Sequence, residues 1–442
     1  MYIRNVIYNI RWYVLVVLAF CMLFAFRVPL FGNAAYLSLF LFFLLLFTSS
    51  RALNNFLSLI KDKLFILVLT LYLFAILFSA FTTTINNAFD FTFITPLING
   101  FFSVIAIASL VSILSAWQPK HSVIDLLVWL LIIQVTIMFL MLFLPDLRDL
   151  IQNIVRTENE MERMASYQGI RGLGISGSVA FGMSVTMGTL GFVLHYWFAH
   201  FSAHRKTFVT FLIFLFCLVA SLAAGRTAIL GYALGFFIYL GAYPVASLVI
   251  RSWKYIVVSL LLGVAILLYI VSNEVLLEIA TTYSRYVFQF VWRYLETGEA
   301  TVTSLQHLEK MYFIPPKENW WFGDGYFSFS DGTHYMETDA GYMRFLLYFG
   351  VVGSVFMYLS FLIVSILFAW RNHSVMPSCT LFYVLFVLMA FILHYKGDTV
   401  FYNVPFMKIF FMISFYYLIK SKACSNYSDN KQEFTIGVSG AR

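Results

Sequence analysis

The chain has 442 residues, of which 61% are hydrophobic and only 11% charged, and its mean hydropathy is +0.85. Those values exclude a water-soluble globule and predict an all-α polytopic membrane protein. The formal net charge of +7 comes without any compact basic motif, so it argues for orientation in a membrane and not for nucleic acid as a partner.

A helix needs roughly 20 mostly apolar residues to cross the hydrocarbon core. Such runs are centred near Leu18, Phe42, Leu73, Ile107, Ile133, Val185, Leu215, Gly235, Leu262, Val355, Val387 and Ile413, which predicts about twelve transmembrane helices, the second being the shortest. The first run has the basic flank of a signal peptide, but the topology needs it retained as an anchor. With the N-terminus inside, Arg11, Arg51, Lys61, Lys63, Lys120, Arg205, Arg251, Arg371, Lys420 and Lys422 all fall on the cytoplasmic side. Trp12, Trp117, Trp253 and Trp370 sit at the same ends, so both termini are expected in the cytoplasm.

Residues 1–271 are therefore read as spans one to nine with an outer loop near 146–176. Residues 272–339 form a large helical outer loop before the last three spans, 340–420 hold those spans, and 421–442 form a polar tail without expected order. Cys21, Cys217, Cys379 and Cys424 show no CxxC or zinc spacing, and none is placed for an outer disulfide.

In chain order, GLGISG places Gly172, Gly174 and Gly177 in GxGxxG spacing. No strand precedes them and a span follows, so a dinucleotide fingerprint is not expected. With Arg171 adjacent, glycines at a helix start could instead cradle a phosphate. His195, His200 and His204 cluster near the inner end of span six without a carboxylate, which fits an interfacial aromatic role better than a metal edge. Arg226 lies in the tight hairpin SLAAGRTAILGY, where it either snorkels or meets a ligand.

In the large loop, Leu276, Ile279, Tyr283, Tyr286 and Phe290 recur at helical spacing, while Arg285, Gln289 and Arg293 share another face. This predicts an interfacial helix with an apolar side on lipid and guanidinium groups toward anions, the alternative being a solvated charged face. A second helical stretch stops at Pro315 and Pro316, and KENWWFGDGYFSFSDGTHY is loop. Asp339 and Arg344 follow at the mouth of a span, where charged groups usually face a cavity or a polar ligand. Lys408, about nine residues into the last span, should face the bundle interior, and a buried pair with a carboxylate such as Asp398 is its alternative role.

The AAGRTA hairpin, the loop ending WWFGDGYF and the run DAGYMRFLLYFGVVG, together with twelve spans and a large outer loop, resemble the Wzy-type O-antigen polymerases of Gram-negative bacteria. The superfamily also holds the O-antigen ligases. Ligases carry a His, ten residues, then Gly; here Asp339 and Gly350 have ten residues between them, a departure that favours polymerase.

The resemblance implies a glycosyltransferase of lipopolysaccharide biosynthesis in the inner membrane, moving a glycan from undecaprenyl diphosphate onto another lipid-linked repeat unit at the periplasmic face. It assigns Arg226, Arg285, Arg293, Arg171 and Arg344 to the diphosphates, Asp339 and then Glu337 to activation of the acceptor hydroxyl, and His334, Trp320, Trp321, Tyr326 and Phe327 to sugar contacts. It requires no metal and no cofactor. Its partners are the undecaprenyl-diphosphate-linked oligosaccharide, membrane lipid, and a chain-length regulator and flippase of the same pathway. An O-antigen ligase is the first alternative and a lipid-linked oligosaccharide flippase or other transporter the second.

Overall fold

The computed structural model describes residues 2–29, 32–157, 173–178, 180–201, 207–242, 267–298, 303–317, 320–329 and 333–439, with isolated positions at 161 and between 257 and 264. Nearly all regular structure among them is helical: α1 (Tyr2–Phe24), α2 (Ala34–Leu46), α3 (Ser50–Ile60), α4 (Lys63–Ile85), α5 (Ile94–Trp117), α6 (Val123–Phe143), α7 (Pro145–Val155) and α8 (Phe181–His200). There follow α9 (Thr207–Ala224), α10 (Ala228–Ala242), α11 (Glu274–Val287), α12 (Gln289–Thr297), α13 (Thr303–Lys310), α14 (Gly341–Asn372), α15 (Cys379–Lys396) and α16 (Val404–Ser439). The one sheet among them pairs Arg27–Val28 with Gly32–Asn33.

The chain is an all-α polytopic membrane protein. Seven described helices, α1, α4, α5, α6, α14, α15 and the first part of α16, are long and apolar enough to cross a membrane, and an eighth follows if α2 and α3 count as one bent span. The expected second span is indeed short. At 1.5 Å per residue α2 is only about 20 Å long, against a hydrocarbon core of about 30 Å. The chain then turns by 114° into α3, an amphipathic helix whose Ser58 carbonyl accepts from Lys422 Nζ at 2.8 Å.

Expected spans seven and eight correspond to the shorter apolar helices Val209–Ala224 and Ala228–Ala242. The ninth, near Leu262, falls largely outside the described residues. Burial sorts the bundle: 83% of the α16 window is buried against 28% for α4, so α16 is central and α4 peripheral. Most of α8 is buried too. It meets α10 at glycines, since a Cβ on Gly231 would lie 1.9 Å from the Gly188 carbonyl oxygen.

The expected run from 323 into one long helix is broken at Gly350, with φ +66° and ψ −171°. A Cβ there would lie 2.4 Å from backbone atoms of Trp321 and Phe322, so glycine is required. The break leaves carbonyls and N–H groups without helical partners, and the loop before the helix satisfies four of them. Asp324 N donates to Leu347 O at 2.8 Å and Gly325 N to Tyr348 O at 3.3 Å. Val351 N donates to Trp320 O at 2.7 Å and Val352 N to Trp321 O at 3.2 Å. WWFGDG is thus a backbone plug in a split helix, and Gly323, at φ +69°, lets it turn against Tyr348.

Two helical pieces result. Gly341–Phe349 is a stub, and Val351 to Asn372 is about 33 Å long, enough to span by itself. The polar tail also departs from expectation, because the backbone of α16 stays helical to Ser439, with no proline after Pro405 to stop it.

Candidate functional site

Seven helix termini meet at one end of the bundle: the C-terminal ends of α1 and α15 and the N-terminal ends of α2, α5, α8, α14 and α16. Between them lies a cavity of about 430 Å³ whose lining includes Tyr36, Asn99, Ser103, Ser178, Phe181, His334, Asp339, Arg344, Asp398, Tyr402, Asn403 and Lys408. It brings together charged residues that are far apart in sequence.

Arg344, on the α14 stub, is 6% exposed and forms an ion pair with Asp398. Its Nη2 donates to the Phe327 carbonyl at 3.2 Å, and its guanidinium lies 3.4 Å from the Phe327 ring centroid. Burial pushes the Asp398 carboxyl above its ordinary value, Arg344 beside it pulls it down, and nearby Asp339 raises it again. Two atoms of the pair, Arg344 Nε and Asp398 Oδ1, are buried without a hydrogen-bond partner. A buried charged pair is stabilising only when its remaining valences are met, and the fold leaves these two unmet.

Local structure holds the pair in place. Asp398 sits between α15 and α16, just after His394, whose Nδ1 accepts from Thr399 N at 3.0 Å. An accepting Nδ1 puts the ring proton on Nε2, which faces Tyr358 Oη at 3.0 Å. On the other side, half-buried Asp90, in the loop between α4 and α5, accepts from Phe327 N at 2.6 Å and Ser328 N at 2.7 Å. It also accepts from Thr92 N at 2.9 Å. Burial alone would raise this carboxyl, but the bonds from Thr92, Ser328 and Phe327 outweigh it and hold it below the usual range.

Asp339 lines the cavity and is exposed. His334 lines it too, five residues earlier in the chain, because the backbone turns back through Met336 and Glu337, at φ +53° and +54°. Glu337 is exposed and is not part of the lining. Lys408 is 2% exposed, and its Nζ donates to the Met22 carbonyl at 2.6 Å. It faces the interior as expected, but it stands only about 6 Å past the start of α16, and Asp398 pairs with Arg344 instead.

The arginines divide. Arg344 belongs to the cavity, though its charge is engaged by Asp398. Arg226 stands beside it: Ser184 Oγ donates to Gly225 O at 2.8 Å, and Lys396 Nζ donates to Thr227 Oγ1 at 3.1 Å next to cavity-lining Gly397. Arg226 Nη2 donates to Gln289 Oε1 at 3.0 Å, which ties the hairpin to α12.

The expected single helix from Glu274 is two, α11 and α12, parted at Phe288. Arg285 does not reach the cavity. It pairs with Glu296 at 3.4 Å and covers Trp292 at 5.0 Å. Arg293 is half-buried on α12 and outside the lining. The apolar side of α11 touches protein rather than lipid alone: Tyr283 bonds the Val219 carbonyl of α9, and Leu276, Ala280 and Tyr283 line a second cavity with α6 and α9. Arg171 and Gly172 lie outside the described residues.

Of the expected sugar contacts, Trp320 and Trp321 are exposed and serve the helix break through their backbones. Tyr326 stacks on Tyr335 at 5.3 Å, and Phe327 is buried beneath Arg344. Gly174 packs against α6 and Gly177 against α1, with Gly177 N donating to Phe24 O at 2.7 Å, and Gly177 with Ser178 also lines the cavity. His195 is buried among aromatic rings rather than interfacial, with its Nδ1 at 3.0 Å from Gly191 O; His204 is outside the described residues. Among the described residues no group of three His, Cys, Asp or Glu could hold a metal ion.

Comparison with family models, with curated proteins and with solved structures found no match.

Proposed function

We propose that the protein is an O-antigen polymerase, transferring a glycan between polyprenyl-diphosphate-linked substrates in the cavity at the periplasmic end of the bundle. The observation that carries this reading is the cavity itself, with a carboxylate at its mouth over a buried Arg–Asp pair that has unfilled hydrogen-bonding valences. Its volume of about 430 Å³ lies within the roughly 300–1,000 Å³ range of ligand pockets.

In the transfer, the acceptor hydroxyl oxygen forms a bond to the anomeric carbon of the donor glycan, and the bond from that carbon to the phosphate oxygen breaks. Asp339 takes the hydroxyl proton, and the polyprenyl diphosphate leaves with the electron pair. Fixed guanidinium groups stabilise that charge more strongly in a partly desolvated site than in water. Arg344 lines the cavity and is the guanidinium nearest to such a role, whereas Arg226 is outside the lining and bonded to Gln289.

The second reading is a ligase. It is favoured by His334, which lines the same cavity as Asp339 and could serve as the base in its place. Deleting the gene and resolving the lipopolysaccharide on a gel separates the readings. Loss of a polymerase leaves a single repeat unit on the core; loss of a ligase leaves naked core with long lipid-linked polymer. Naked core without periplasmic repeats would point to a flippase and overturn both.

A further inference from the structure

We infer that Lys408 binds the diphosphate of a polyprenyl-linked substrate at the buried end of this cavity. The inference rests on the transfer reading and assigns it a cation that the sequence motifs do not contain. An ammonium inside a membrane bundle is costly unless it has a counter-charge or a polar ligand. Lys408 lines the cavity at 2% exposure, and no carboxylate among the described residues pairs with it. The buried carboxylate in the lining, Asp398, is taken by Arg344.

One of the three Lys408 donors goes to Met22 O, a carbonyl in the last turn of α1. The other two Lys408 donors and the amide and hydroxyl groups of Asn403, Ser103 and Ser178 belong to residues that line the same space. A diphosphate offers acceptor oxygens for such donors and a counter-charge for an ammonium that has no carboxylate beside it. The competing role for Lys408 is structural, as a cap on α1. That role predicts a stability loss without an affinity loss.

The test uses the full chain in lipid nanodiscs, with binding of farnesyl diphosphate measured beside farnesyl monophosphate and inorganic diphosphate. Tight binding of farnesyl diphosphate and inorganic diphosphate, with weak binding of the monophosphate, identifies the diphosphate as the recognised group. A preference for the farnesyl form over inorganic diphosphate identifies a lipid rather than a free anion as its source.

Lys408→Met is expected to weaken farnesyl diphosphate binding at least about tenfold, the scale of one charge-assisted hydrogen bond, while Lys408→Arg stays within about threefold. If Lys408→Met does not fold, Lys408→Gln, whose amide can still donate to the Met22 carbonyl but carries no charge, decides in its place by the same loss. Unchanged affinity in folded Lys408→Met or Lys408→Gln overturns the inference. A wild-type protein that binds none of the three probes overturns the transfer reading itself.

Discussion

The two ends of the bundle treat buried carboxylates in opposite ways. At the end remote from the cavity, Asp62 caps α4 through Leu64 N and pairs with Lys422 at 2.7 Å. Asp125 accepts from Ser122 N and Oγ, both at 2.9 Å, and from Trp197 Nε1 at 2.8 Å. Both carboxylates are used up in capping and tying helices. At the cavity end the Arg344–Asp398 pair keeps two atoms unpartnered, and Lys408 has no carboxylate. A carboxylate whose partners the fold supplies holds a structure together, whereas an ammonium without a counter-charge is where a ligand can contribute binding energy.

Substitutions at the two ends should therefore differ in size and in kind. Arg344→Ala leaves Asp398 buried and unpaired, and should cost about 3–5 kcal/mol in thermal unfolding at fixed detergent and protein concentration. A loss below about 1 kcal/mol would mean that the pair is not a structural hub.

Gly350→Ala forces a side chain into a left-handed position that also touches the Trp321 backbone, with strain of about 1–3 kcal/mol. The plug should be expelled, and limited proteolysis should then cut near 320–329 while the span stays protected. Asp90→Asn removes a charged acceptor of loop N–H groups, with an expected loss of about 1.5–3 kcal/mol.

That last effect carries a pH signature. The folded Asp90 carboxyl lies below its ordinary value, so its contribution is present above an unfolded value of about 4 and is lost as pH falls through the folded one. The stability gap between wild type and Asp90→Asn should close at acid pH. Smallest of all, Lys422→Ala at the remote end should cost about 1 kcal/mol, because Asp62 at the protein edge keeps its bond from Leu64 N, and leave farnesyl diphosphate binding unchanged. A loss of binding there would erase the distinction between the ends.

The membrane class and the long apolar helices were legible in the sequence, because a 20-residue apolar run has few other uses. Asp339 and Arg344 were legible as charges at a span boundary, and Lys408 as one inside a span. The partnership of Arg344 with Asp398 was not, since it crosses 54 residues of sequence. Asp90 was missed for the same reason: it reaches Phe327 across 237 residues, and nothing local distinguishes it from a loop aspartate.

Helical periodicity ran straight through Phe288 and Gly350. Side-chain pattern does not record where a neighbouring loop supplies the backbone partners of a split helix. The one cue was the glycine content of WWFGDG followed by Gly350, which reads as a close backbone approach once both are seen together.

The account turns on Asp339 acting at the mouth of a diphosphate-binding cavity. The most direct measurement reconstitutes purified wild-type and Asp339→Asn protein in liposomes with a lipid-linked repeat unit and compares the polymer formed at equal protein amounts. The account predicts a ladder from wild type, at least about a hundredfold slower elongation by Asp339→Asn, and farnesyl diphosphate binding retained by both. A full ladder from Asp339→Asn at the wild-type rate would contradict it.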